Sequence, residues 1–169
     1  MQNISTQVHS NNIVNRIDGS SVLNDQLING GVFGPEVSVG EYSFSPVITG
    51  KDRAEVLKLR SEIYDAECGW AASENNIEQD KFDVFATHFA VKNPANEVVA
   101  TIRTLDDSFQ WMSEGCFDGA FVEGTNQYKG VGINEASRLC VDKAYRSLNI
   151  EEKYNVMDLM VAGLLVYNV

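Results

Sequence analysis

Basic blocks, paired cysteines and long apolar runs are all missing from this chain, and each absence removes a class of function. No stretch of the 169 residues gathers lysine or arginine into a block, and the formal charge is −11. Such a balance repels a phosphate backbone, so nucleic acid is excluded as a partner and small molecules or proteins are expected. The three cysteines, Cys68, Cys116 and Cys140, stand far apart without a Cys-x-x-Cys. That spacing indicates neither a disulfide framework nor a zinc site and suits a reducing cytosol. His88 has no second histidine or cysteine at ligand spacing, so it reads as a structural histidine, and no metal is expected. The most apolar run, 156–169, is broken by Asp158 and falls short of a bilayer span. The polar N-terminus lacks the basic-then-apolar layout of a signal peptide. A cytoplasmic protein with no transmembrane segment is the expectation.

What remains is enough for one core. A chain that is 44% hydrophobic at this length buries a single sizeable interior, and one folded domain from about residue 35 to 169 is expected. Residues 1–34 are rich in Asn, Ser, Gln and Gly and read as a flexible N-terminal extension. The stretch 37–48 alternates and gives a first strand with Pro46 at an edge position. Thr49 is a helix N-cap with Asp52 in the first turn, and the helix runs to about Asp65 and stops at Gly69. Its buried stripe is Val56, Leu59, Ile63 and Ala66, and Arg60 reaches the core's edge, where it wants a carboxylate. The run 78–83 reads by default as a charged loop, although the step from Asp80 to Asp83 places both on one side of a helical turn. Strands over 88–92 and 98–105, joined through Asn93-Pro94-Ala95-Asn96-Glu97, make a hairpin that carries Arg103. A short helix over 106–115, a long loop to Gly132, a strand over 133–141 and a helix over 151–165 complete the order. No further strand is expected.

Within the last strand the alternation puts Glu135 and Ser137 on one face and Arg138 on the other, ionisable groups where a buried strand prefers Val. An ion pair or an exposed edge explains such residues. So does a cleft, where a carboxylate takes a proton and an arginine holds an anion.

The order of these residues resembles that of the acyl-homoserine lactone (autoinducer) synthases and N-acyl amino acid synthases, a branch of the GNAT acyltransferase superfamily. The likeness runs from Arg60 to Arg146. Its marks are Arg60 followed by Gly69-Trp70, the pair Asp80 and Asp83 leading into a strand, Arg103-Thr104-Leu105, and Glu135-Ala136-Ser137-Arg138. The resemblance implies an α/β (α+β) GNAT-like fold with a mixed central sheet flanked by helices. Against that fold the C-terminal strands and helices look incomplete.

It also implies an enzyme that moves an acyl group from an acyl carrier protein thioester, or from acyl-CoA, to an amine, with no bound cofactor. The endings Ile63-Tyr64, Glu67-Cys68-Gly69-Trp70 and Tyr145-Arg146 lean towards the N-acyl amino acid side, with an amino acid such as tyrosine as acceptor. The segment 146–150 has no glycine for a pyrophosphate loop, which favours carrier protein over coenzyme A as donor.

On this reading Glu135 is the general base, directly or through a water, with Ser137 and Arg138 beside it. Backbone N–H groups at a bulge near Arg138 to Cys140, with Leu139 between them, receive the thioester carbonyl. Arg60, Asp80, Asp83, Arg103 and Arg138 form an ion-pair network that fixes the pocket or contacts the acceptor's carboxylate. Trp70, Phe82 and Trp111 line the acyl pocket or belong to the core. Cys140 is the one cysteine near the site and, lacking a histidine base, a poor nucleophile. Lys143, Arg146 and Lys153 form a basic cluster for carrier-protein docking or a solvated surface. The alternatives are a lactone synthase consuming S-adenosylmethionine, an acyl-CoA-dependent GNAT enzyme, and a non-catalytic acyl-binding domain.

Overall fold

A computed structural model describes residues 36–116, 129–130, 132–151 and 154–167. The expected extension 1–34, most of the loop before Gly132, and Lys153 lie outside the described residues. The chain forms an α/β (α+β) domain around a five-stranded sheet in the order β1-β2-β3-β4-β5. The strands are β1 (Val37–Val39), β2 (Tyr42–Pro46), β3 (Thr87–Lys92), β4 (Val98–Leu105) and β5 (Glu135–Val141). Every pairing in that sheet is antiparallel, where a mixed sheet was expected. The single strand expected over 37–48 is a hairpin instead, because Gly40 turns the chain at φ +59°.

Thr49 caps α1 (Gly50–Arg60), its hydroxyl accepting the Asp52 N–H at 3.0 Å. The helix then widens into a π-helix over Ser61–Glu67 and ends at Gly69, φ +65°. Widening rotates the later residues off the expected stripe. Val56 and Leu59 are buried, Ile63 is half-buried, and Ala66 is exposed. A 3-10 turn, Lys81–Val84, leads into β3. The short helix expected over 106–115 is confined to α2 (Met112–Cys116). After β5 come a 3-10 turn, Lys143–Tyr145, and α3 (Val156–Tyr167). Between them a small hairpin, β6 (Asn149–Glu151) with β7 (Tyr154–Asn155), occupies the start of the expected helix, so the fifth strand is not the last.

One sheet face packs on α3. Phe44 stacks on Phe89 with centroids 5.2 Å apart, and Val91, Ala100, Ile102, Val156, Leu159 and Met160 close the cluster. Alternation sends the intervening side chains of β3 and β4, His88 and Arg103 among them, to the opposite face, beside α1. That second face carries the polar residues described below.

The α3 contact depends on Gly163, where a Cβ would lie 2.1 Å from Cδ1 of Phe44, a ring already wedged against Phe89. Gly163→Ala is expected to cost about 1–3 kcal/mol of folding stability through overpacking. Urea denaturation measures it, and an unchanged midpoint would contradict this packing.

Candidate functional site

Arg60, at the C-terminus of α1, and Arg103, in strand β4 between β3 and β5, are both fully buried. Guanidinium groups cannot shed their charge, so burial requires carboxylates. The run 78–83 provides them. Arg60 donates to both oxygens of Asp83, at 2.7 and 3.1 Å, and from Nε to Glu78 at 2.5 Å. Arg103 donates to Asp80 at 2.6 Å, to Asp83 at 2.9 Å and to the Ser137 hydroxyl at 3.0 Å. Arg138 donates to Glu78 at 3.1 Å and to Asp80 at 2.8 Å. Three guanidinium groups thus meet three carboxylates, each acid shared between two arginines.

Local structure aims the acids. Asp80 and Asp83 form a capping box on the 3-10 turn, and the Glu78 N–H bonds to the Leu57 carbonyl at 3.3 Å, which ties the run to α1. Glu78 is buried, so the default reading of these acids as a solvated loop is overturned. Burial opposes ionisation of Asp83, but the hydrogen bonds and charge of Arg60 outweigh it and hold this carboxyl well below the usual range. His88 lies beside the cluster, Nε2 3.5 Å from Asp83 Oδ1, and neither ring nitrogen has a hydrogen-bond partner among the described residues. Desolvation drives the imidazole down to about 4, so it is neutral near pH 7.

Strand β5 departs from strict alternation at this point. Thr101 pairs with Cys140 and Arg103 with Ser137, so two residues, Arg138 and Leu139, oppose Ile102 alone. Arg138 takes φ +53° to make the bulge. The consequence corrects the two-faced pattern expected for this strand, because Ser137 and Arg138 now reach the same cluster.

Glu135 also sits differently from expectation. It begins β5, and its two oxygens accept the N–H groups of Met112 at 2.6 Å and Ser113 at 2.8 Å, anchoring the start of α2. The sulfur of Met112 in turn lies 3.3 Å from Arg138 and 3.5 Å from Arg103.

Past the bulge lies a cavity of about 320 Å³ between the π-helix and β5. Ile63, Leu139, Val141 and Met157 give it apolar walls, and Trp70, 76% exposed, stands at its mouth. Neither Glu135 nor any buried arginine lines it, so the sequence-derived residues divide into two groups. Leu139, Cys140, Trp70 and Arg146 border the cavity, whereas Arg60, Asp80, Asp83, Arg103, Ser137 and Arg138 form the network behind it. Phe82 and Trp111 line nothing here and pack with Leu105 in a small core. Cys68 borders the cavity together with Cys140, so Cys140 is not the sole cysteine nearby. Burial pushes the Cys140 thiol up to about 11, which keeps it protonated and unreactive near pH 7.

Arg146 is held by Glu67 through two bonds of 2.6 Å and donates to the Val141 carbonyl at 3.0 Å. Lys143 is exposed nearby. Tyr64 is the wall between cavity and network. Its hydroxyl donates to the Leu139 carbonyl at 3.0 Å, and the Arg138 guanidinium lies 5.5 Å from its ring centre.

Sequence reasoning missed Glu78 as a network member, and it missed Tyr64 and Glu67 as cavity residues. Glu78 was within reach. Three arginines set inside a helix and two strands need three acids, and Asp80 and Asp83 supply two.

The family described as acetyltransferase (GNAT) domain matches residues 59–154, which hold the whole network and most of the cavity wall. The crystal structure of the AHL synthase LasI is similar in fold, with a TM-score of 0.56 and 17% identity over 76% of this chain and 67% of that one. No protein of curated function matches this chain.

Removing one acid leaves buried positive charge uncompensated. Glu78→Ala is therefore expected to destabilise the fold by about 3–5 kcal/mol in guanidinium chloride melts, and a loss below 1 kcal/mol would refute the network's weight. The imidazole of His88 titrates lower folded than unfolded, so its contribution is complete above about pH 6.5 and disappears as pH falls towards 4. Melts across that window should show about 3 kcal/mol lost on acidification, a slope that His88→Phe removes.

Proposed function

The chain belongs to the acetyltransferase (GNAT) domain family, and from that premise we propose an N-acyltransferase of the N-acyl amino acid synthase type. It moves a long-chain acyl group from an acyl carrier protein thioester to the amino group of an amino acid. The observation that carries the proposal is the apolar cavity of about 320 Å³ set directly against a bulged strand. Such a space takes up hydrocarbon, and the bulge presents backbone donors where the reacting carbonyl would lie.

In the proposed step the neutral amine attacks the thioester carbonyl, a C–N bond forms and the C=O electron pair moves to oxygen. Leu139 is extended and has no register partner on β4, and β5 is an edge among the described strands. Its N–H and C=O therefore project together towards the cavity, and the N–H is the donor for the oxyanion. Collapse breaks the C–S bond, the thiol leaves with one proton, and the product is an amide. No enzyme-bound acyl group is needed, in keeping with the protonated thiol of Cys140.

The proton the amine loses is relayed by water at the open mouth to the departing thiolate. Glu135, engaged with α2, acts on this reading as a positioning residue for Met112 and the guanidinium of Arg138. The arginines are saturated by acids and hold the bulge in shape, leaving the acceptor's carboxylate to be bound nearer the mouth.

Carrier protein is favoured as donor over coenzyme A by the segment after β5. There the carboxylate of Asp142 accepts the Ala144 N–H at 2.8 Å, so an acid already occupies the first turn where a pyrophosphate cradle would need free donors. Lys143 and Arg146 then face an acidic carrier.

Lipid extracts of cells expressing the chain should contain a new N-acyl amino acid by mass spectrometry, and purified protein should turn over acyl carrier protein thioesters faster than acyl-CoA. Release of methylthioadenosine from S-adenosylmethionine would replace the reading with a lactone synthase. Acyl binding without turnover would replace it with a binding domain. Leu139→Glu, which sets a charge in the apolar wall, is expected to lower kcat/KM for long-chain donors by at least about tenfold.

A further inference from the structure

Two backbone irregularities face each other across the cavity, the π-helix Ser61–Glu67 and the bulge at Arg138 and Leu139, and a single side chain joins them. Tyr64 comes from the middle of the π-helix. Its hydroxyl donates to the Leu139 carbonyl at 3.0 Å, across 75 residues of chain, and its ring lies under the Arg138 guanidinium at 5.5 Å. Both residues of the bulge are therefore held by the same tyrosine, one through its backbone and one through its side chain.

The helical widening is what allows this. A regular helix advances about 3.6 residues per turn, and a π-turn inserts an extra residue that re-aims the side chains following it. Bulges are likewise places where a strand re-aims one residue.

We propose that Tyr64 is a positioning residue that holds the Leu139 backbone extended, so that the Leu139 N–H points into the cavity. The inference rests on the acyl-transfer reading above and assigns the device that keeps its oxyanion donor aimed. In an extended residue the N–H and C=O point to the same side of the strand, so a hydroxyl that grips the carbonyl fixes the N–H as well. A left-handed Arg138 beside it makes the peptide prone to turn when the grip is lost, since a non-glycine residue at φ +53° holds that conformation only under external constraint. Burial, together with the nearby Cys140, pushes the Tyr64 hydroxyl far above its ordinary range, so it stays a donor at every working pH. Tyr64 does not touch the reacting atoms. It sets the direction of the group that does.

Tyr64→Phe removes the hydroxyl and keeps the ring. The bond lost is the one to the Leu139 carbonyl, so the Leu139 carbonyl carbon resonance should shift upfield and the residual dipolar coupling of the Leu139 N–H should change as that group re-aims. The kcat for acyl transfer should fall by about tenfold while KM for the acyl donor stays unchanged, because the donor acts on the transition state rather than on binding. Tyr64→Leu, which also removes the ring beneath Arg138, should change that coupling further.

An unchanged Leu139 N–H coupling in the Phe variant overturns the lock, whatever the activity does. Equal losses in binding and turnover with an unchanged coupling would make Tyr64 a plain wall residue and overturn it too. A changed coupling in a protein that moves no acyl group from any donor would sustain the lock and sink the acyl-transfer reading instead, so the two failures are distinguishable.

Discussion

Buried guanidinium charge is the constraint on which this structure turns. Arg60 and Arg103 have no exposed surface and cannot be neutralised, so the chain must bring acids to them or fail to fold. It does so with one short run, Glu78 to Asp83, which contributes three carboxylates from six residues. The run is pinned to α1 by a backbone bond at Glu78 and to its own 3-10 turn by the capping box. Arg138 then extends the same lattice to β5. Because each acid serves two arginines, helix, loop and two strands are joined through the same few atoms, and a displacement of one is felt by all.

That lattice explains why an irregular strand is tolerated beside the cavity. A left-handed arginine is costly on its own, and here its side chain is anchored by Glu78 and Asp80 and rests over Tyr64. The rigid ionic layer and the apolar cavity therefore stand back to back, separated by the Tyr64 ring. One side supplies shape, the other supplies space. The sequence left the arginines either to fix the pocket or to hold a substrate's carboxylate; in the structure each is paired with two acids, and the residues bordering the cavity are mostly apolar.

What could be read from the chain follows from how local the cause is. The Thr49 cap, the β3–β4 hairpin at Asn93–Glu97 and the pairing of Arg60 with Asp83 depend on near neighbours or on charge balance, and all are present. The GNAT assignment was likewise legible in the order of Arg60, Asp80, Asp83, Arg103 and Glu135 to Arg138, and residues 59–154 match the acetyltransferase (GNAT) domain. The failures have tertiary causes. The bulge expected near Arg138 to Cys140 is present, but the strict alternation read for the same strand did not allow for it, because the position of the extra residue is set by the partner strand. The π-helix removes Ala66 from the stripe, since its widening has no sequence period. Glu135 was placed at a cleft from its position in the strand and from the family resemblance, whereas the start of α2, folded over it, supplies its partners.

The two tryptophans occupy opposite environments: Trp111 is buried in the small core, and Trp70 stands largely in water at the cavity mouth beside Tyr64. Indole emission follows its surroundings, so the molecule carries an optical gauge in which one fluorophore serves as an internal reference and the other senses the entrance. Hydrocarbon arriving there would shield Trp70 from aqueous quenchers and shift its spectrum to the blue, with no label added.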